Sequence, residues 1–144
     1  MGARPTLGPF VDADSFLRHV DRKNRIRRGV VSHKVFKDKH ETLSFTCQNA
    51  VLRTGKGLDQ YQRDKAFESG DLPGLRRLTF YDLTVRLQPP LPPRSDPNPD
   101  DERYGHLYCC TNRPSDDQRE KMAHLAEGNG IVRPFVPKGK RTDL

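Results

Sequence analysis

The apolar and polar positions of this chain change period several times, and each change marks an element. In residues 12–23, DADSFLRHVDRK, Phe16, Leu17 and Val20 stand at helical spacing behind Asp12 or Asp14 as an N-terminal cap. That pattern predicts a short first helix with a narrow buried stripe. The basic run RKNRIRRG closes it at Gly29, with cations suited to the negative end of a helix. From Val30 the period becomes two. VVSHKVFK sets Val31, His33, Val35 and Lys37 against Val30, Ser32, Lys34 and Phe36. TLSFT sets Leu43 and Phe45 against Thr42, Ser44 and Thr46, and the polar KDKHE between them reads as a turn joining two strands.

GLDQYQRDKAFESG predicts a second helix from near Asp59 to Gly70, with a thin apolar face built on Leu58 and Tyr61. LRRLTFYDLTVRLQ carries the clearest strand pattern, Leu78 and Phe80 followed by Leu83, Val85 and Leu87. Its phase slips by one residue at Tyr81-Asp82, as a β-bulge or a break between two strands would require. QPPLPPRSDPNPDDE is too rich in proline for regular structure and reads as an exposed, partly extended loop. RYGHLYCCT resumes as a strand. RPSDDQREKMAHLAEGNG is the clearest helix, with Ser115 as cap and Gln118 in the capping-box position. Its apolar stripe is Met122, Leu125 and Ala126, and Gly128-Asn129-Gly130 ends it. IVRPFVP adds a short edge strand, where Pro134 is tolerated.

Helices mixed with hairpin-like strands define an α+β class: a small mixed or antiparallel sheet of about four to five strands, covered on one face by two to three helices. Residues 12–137 read as a single domain. An irregular arm, 1–11, precedes it, the proline-rich loop 88–102 interrupts it, and a basic tail, 138–144, follows.

Composition sharpens this outline. Apolar residues make up 33% of the chain and charged residues 31%, so the expected core is lean and no deep pocket is expected. No stretch approaches the roughly 18 uninterrupted apolar residues of a membrane span, and the opening residues lack a hydrophobic signal core. A cytoplasmic location is the expectation. The three cysteines, Cys47 and the adjacent Cys109 and Cys110, offer no disulfide framework. Neighbours on a strand point to opposite faces, so Cys109 and Cys110 make a poor metal chelate; neither metal nor cofactor is expected.

The stretch from Ser32 to Phe45 resembles a pattern in short bacterial proteins of unknown function, where an S-S-x-x-F-K segment precedes an L-S-V strand. Ser32, Phe36 and Lys37 match its first part, and Leu43 and Ser44 its second. His33 stands in place of a small residue and Phe45 in place of Val. The resemblance implies a small bacterial domain and carries no activity.

Charge then directs attention to partners. Twenty-six Lys and Arg against nineteen Asp and Glu leave a net charge of +7, which favours nucleic acid or an acidic protein. The densest cluster is Arg22, Lys23, Arg25, Arg27 and Arg28, able to release counterions from a phosphate backbone. The first functional expectation is therefore a non-enzymatic accessory or binding module, a subunit or adaptor of a larger bacterial assembly. No phosphate loop, dinucleotide fingerprint or zinc-protease motif is present. Metal-independent acid–base chemistry needs less: two imidazoles and a cation suffice to cleave RNA through its 2′-hydroxyl. The second expectation is such a toxin-type ribonuclease, with His33 and His106 as base and acid and Lys37, or Arg103, as the cation.

Overall fold

In the computed structural model, residues 8–21, 31–38, 42–95 and 108–140 are described. Six strands form one antiparallel sheet: β1 (Ser15–Val20), β2 (Thr42–Cys47), β3 (Gly74–Thr79), β4 (Arg94–Ser95), β5 (Tyr108–Asn112) and β6 (Ile131–Arg133). Their order across the sheet is β4-β5-β2-β1-β3-β6. Three α-helices accompany them: α1 (Gln48–Arg53), α2 (Leu58–Asp64) and α3 (Asp116–Asn129). The α+β class holds, with one strand more than the sequence suggested.

The first element is a correction. Residues 15–20 are not helical; they form β1, paired with β2 on one side and β3 on the other. The cause lies in the burial of both faces. Phe16 and Leu17, adjacent in sequence, are both fully buried, and Val20 joins them. A strand covered on both sides loses its polar–apolar alternation, and its apolar positions can then imitate helical spacing. Asp14 makes no helix cap: its carboxylate takes the Val11 amide at 2.8 Å and the Asn49 side-chain amide at 2.8 Å.

Side-chain alternation and register define the two faces. Phe16, Arg18 and Val20 share one, with Leu17 and His19 on the other. Register carries the first across the sheet, for Phe16 is opposite both Cys47 and Leu78, and Arg18 is opposite Arg76. α3 lies on that face, where its Glu127 reaches Arg76. The opposite face takes α2, whose buried Tyr61 meets His19 and Thr46. The sheet is thus covered on both faces rather than one.

The predicted strand at 30–37 is also replaced. His33–Phe36 is one turn of 3-10 helix, capped by Ser32, whose hydroxyl accepts from the Lys34 amide at 3.2 Å. Val35 and Phe36 are buried side by side while His33 and Lys34 face solvent, a pairing of neighbours that a half-buried strand forbids.

The phase slip at Tyr81-Asp82 marks a true end. β3 stops at Thr79, and Asp82–Arg86 form a π-helical turn. Asp82, 1% exposed, accepts from the Thr79 amide at 3.0 Å and from Asn129 at 2.8 Å, fixing the turn to the last residue of α3. The proline-rich loop is less irregular than its composition implies, because Arg94–Ser95 pair with β5 as an edge strand. α3 forms as read: Ser115 and Gln118 make both hydrogen bonds of the capping box, and Met122 and Ala126 are fully buried. β6 is the other edge, as its sequence indicates.

Candidate functional site

The clearest exposed cationic feature among the described residues is the 3-10 turn. His33, Lys34 and Lys37 all face solvent, and none has an acidic partner among the described residues. The turn is held from beneath. Val35 and Phe36 anchor it in the core, and Arg18 of β1 binds its backbone. Nε of Arg18 donates to the Val35 carbonyl at 2.9 Å, and Nη1 donates to the Ser44 carbonyl at 2.6 Å. Asp38, two residues past the turn, completes the arrangement, 3.2 Å from the Arg18 guanidinium and accepting the Ser44 amide at 2.9 Å. Asp38, the acid next to Lys37 in the chain, is therefore committed inward. What remains outside is a small positive platform on a fixed support, and such a platform can bind phosphate or carboxylate oxygens without prior ordering.

Much of the other charge is spent within the molecule. Ion pairs join Lys56 to Asp64, Arg63 to Asp59, Arg86 to Asp82 and Arg119 to Asp116. The Lys56 and Gln60 hydrogen bonds to Asp64 hold its carboxyl below the ordinary range. These contacts order helices and turns.

The sequence-derived candidates divide accordingly. His33 and Lys37 are brought together on the platform, though on a 3-10 turn instead of a strand. His106 and Arg103, the rest of the expected ribonuclease set, lie outside the described residues. So does the whole cluster of Arg22, Lys23, Arg25, Arg27 and Arg28, which precedes the platform in the chain.

The histidine with the most altered chemistry is one that sequence pattern leaves unremarked. His19 on β1 places Nε2 2.9 Å from the Tyr61 hydroxyl, which is itself 2.7 Å from Oγ1 of Thr46. Burial, with the positive charges of Arg18 and Lys65 nearby, lowers its pKa from 6.5 to about 4. It is neutral at physiological pH and joins β1, β2 and α2 through a polar bridge. Periodicity gives no signal of this, because helical spacing puts residue 19 on an exposed surface. All three cysteines are buried and none forms a disulfide, and burial raises the Cys47 thiol above its ordinary value, which makes it a poor nucleophile. Among the described residues no group of three or more His, Cys, Asp or Glu is placed to hold a metal ion. No helix among them is long and apolar enough to cross a membrane.

Comparison with protein-family models, curated proteins and solved structures finds no match to this chain.

Proposed function

We propose that this protein is a small, cytoplasmic, non-enzymatic binding module that holds a polyanionic partner, foremost a nucleic-acid backbone, as an accessory subunit of a larger bacterial assembly. The observation that carries the reading is the platform at His33, Lys34 and Lys37: exposed, free of acidic partners among the described residues, and fixed to the core through Arg18, Val35 and Phe36. The basic run at Arg22–Arg28 adds to it through chain proximity alone. Phosphate binding by such a surface is electrostatic and independent of base sequence.

The test is the salt dependence of binding to duplex DNA and RNA. Affinity should fall steeply with salt, and Lys34→Gln with Lys37→Gln should flatten the logarithmic slope by about 2, since each phosphate left without its cation accounts for about 0.9. An unchanged slope would remove the platform from the interface. A binding curve insensitive to salt, with capture of an acidic protein instead, would move the partner to the protein class. Cleavage of the RNA during the titration, abolished by His33→Ala, would overturn the non-enzymatic reading.

A further inference from the structure

A second site lies at the β3–β6 edge of the sheet, and its chemistry differs from that of the platform. Val20, Leu75, Ile131 and Phe135 provide apolar walls to a cavity of about 330 Å³, and Arg76 and Arg133 line it as well. That volume sits at the small end of ligand pockets, where buried apolar walls supply affinity and a few polar groups set orientation.

The cavity is built rather than left over. The segment after β6 that closes it is tied down at several points. Gln62 of α2, itself buried, donates to the Pro134 carbonyl at 2.6 Å and to the Pro73 carbonyl at 2.9 Å. Leu72 and Val136 exchange backbone hydrogen bonds at 2.7 and 3.1 Å, and the Lys138 amide donates to Asp71 at 2.8 Å. Gly74 lets the segment come close, since a Cβ there would sit 3.1 Å from the Phe135 nitrogen.

Arg76 supplies the second, independent observation. Its side chain is 5% exposed, and a guanidinium carries five N–H donors. It makes no side-chain hydrogen bond among the described residues. Its one ionic neighbour among the described residues, Glu127, is 3.9 Å away, beyond hydrogen-bond reach, and that carboxylate already accepts the Val31 amide at 2.9 Å. None of its nitrogens is both fully buried and unpartnered, so its unbonded donors reach accessible space, and Arg76 lines the cavity. Arg133 has committed Nε to Gln62 at 3.3 Å, and its remaining donors have no hydrogen bond among the described residues.

We propose that this cavity binds a small monocarboxylate carrying a compact apolar body, with its carboxylate on the Arg76 guanidinium and its body against Val20, Ile131 and Phe135. The charge balance selects the class. Among the described residues that line the cavity the ionisable ones are Arg76 and Arg133, which call for an anion, while the Glu127 carboxylate 3.9 Å from Arg76 disfavours the second charge of a phosphate dianion. A planar carboxylate also matches the guanidinium fork in two parallel hydrogen bonds.

The experiment is an amide-resolved NMR titration of the full chain with phenylacetate, its neutral isostere phenylacetamide, and inorganic phosphate. Phenylacetate should move the amides of Gly74, Leu75 and Ile131 saturably and bind at least tenfold more tightly than either other probe. Arg76→Met should remove that binding, while Lys121→Gln, an exposed change on α3, should leave it intact. The Lys34→Gln, Lys37→Gln variant should keep phenylacetate binding even where it loses nucleic acid, which separates this site from the platform. Equal affinity for phenylacetate and phenylacetamide, stronger binding of phosphate, absence of saturable shifts, or full binding by a folded Arg76→Met would each overturn the proposal. If that variant fails to fold, the acid-against-amide comparison in the unmodified protein decides alone.

Discussion

Arg18 and Arg76 stand opposite one another on β1 and β3, on the same face of the sheet, and both are largely enclosed. Two like charges in such a position repel, so each must be compensated separately. Arg18 is compensated completely by protein: two backbone carbonyls and the Asp38 carboxylate surround its guanidinium. Arg76 has a distant carboxylate, no side-chain hydrogen bond among the described residues, and a cavity. The same residue type, in adjacent strands, is at one place a structural bolt and at the other an unfilled valence. Burial alone does not tell these apart; the census of hydrogen bonds does.

The largest effect expected from this contrast is at Arg18. Arg18→Met strands Asp38 and the Val35 and Ser44 carbonyls, and should cost about 3–5 kcal/mol in denaturant unfolding, as breaking a buried charge pair from one side does. Next comes its neighbour on the other face. The unfolded chain protonates His19 near 6.5 and the folded chain only near 4. The stability held by neutral His19 is thus whole above the unfolded pKa, declines as the pH falls from about 6.5 towards 4, and is fully lost below, a total of about 3 kcal/mol. Urea midpoints across that window should slope less in His19→Gln than in the unmodified protein; equal slopes would mean that the imidazole is not held neutral. The smallest effect is at Arg76. Arg76→Met removes a cation without stranding a hydrogen-bonded partner, and should change stability by less than about 1 kcal/mol in either direction. If the two methionine variants prove equally damaging, the contrast between the arginines is wrong.

Where the sequence was legible, one face or one stripe was buried. The first four residues of β2 alternate, with Leu43 and Phe45 buried, and α3 announces itself through Ser115, Gln118 and its acidic first turn. Where it failed, the burial was two-sided or the backbone turned locally. β1 hides in SFLRHV because Phe16 and Leu17 go to different covered faces. VVSHKVF looks like a strand until Val35 and Phe36 are seen to be buried as neighbours. Asp82 reads as a polar interruption, although its carboxylate is what ends β3 and begins the turn. α1 has no side-chain cap to announce it. The platform was half legible: His33 and Lys37 stand out as a histidine and a cation, whereas strand alternation turns Lys34 to the face opposite His33. The cavity was not legible at all. It needs the register that faces Arg76 with Ile131, and the tethering of residues 134–138 by Gln62 and Asp71, both of which join parts of the chain far apart in sequence.

The placement of β1 has a consequence for how the chain comes together. This strand is the earliest of the six to leave the ribosome, yet it occupies an inner position, with Leu17 opposite Thr46 on one flank and Arg77 on the other. Until Gly74–Thr79 has been synthesised, one whole edge of SFLRHV has no ladder to join, and a bare apolar edge is an invitation to pair with another chain. Assembly therefore waits on partners distant along the polypeptide, which favours slow acquisition of the native state and gives chaperones their longest claim on the β1 segment.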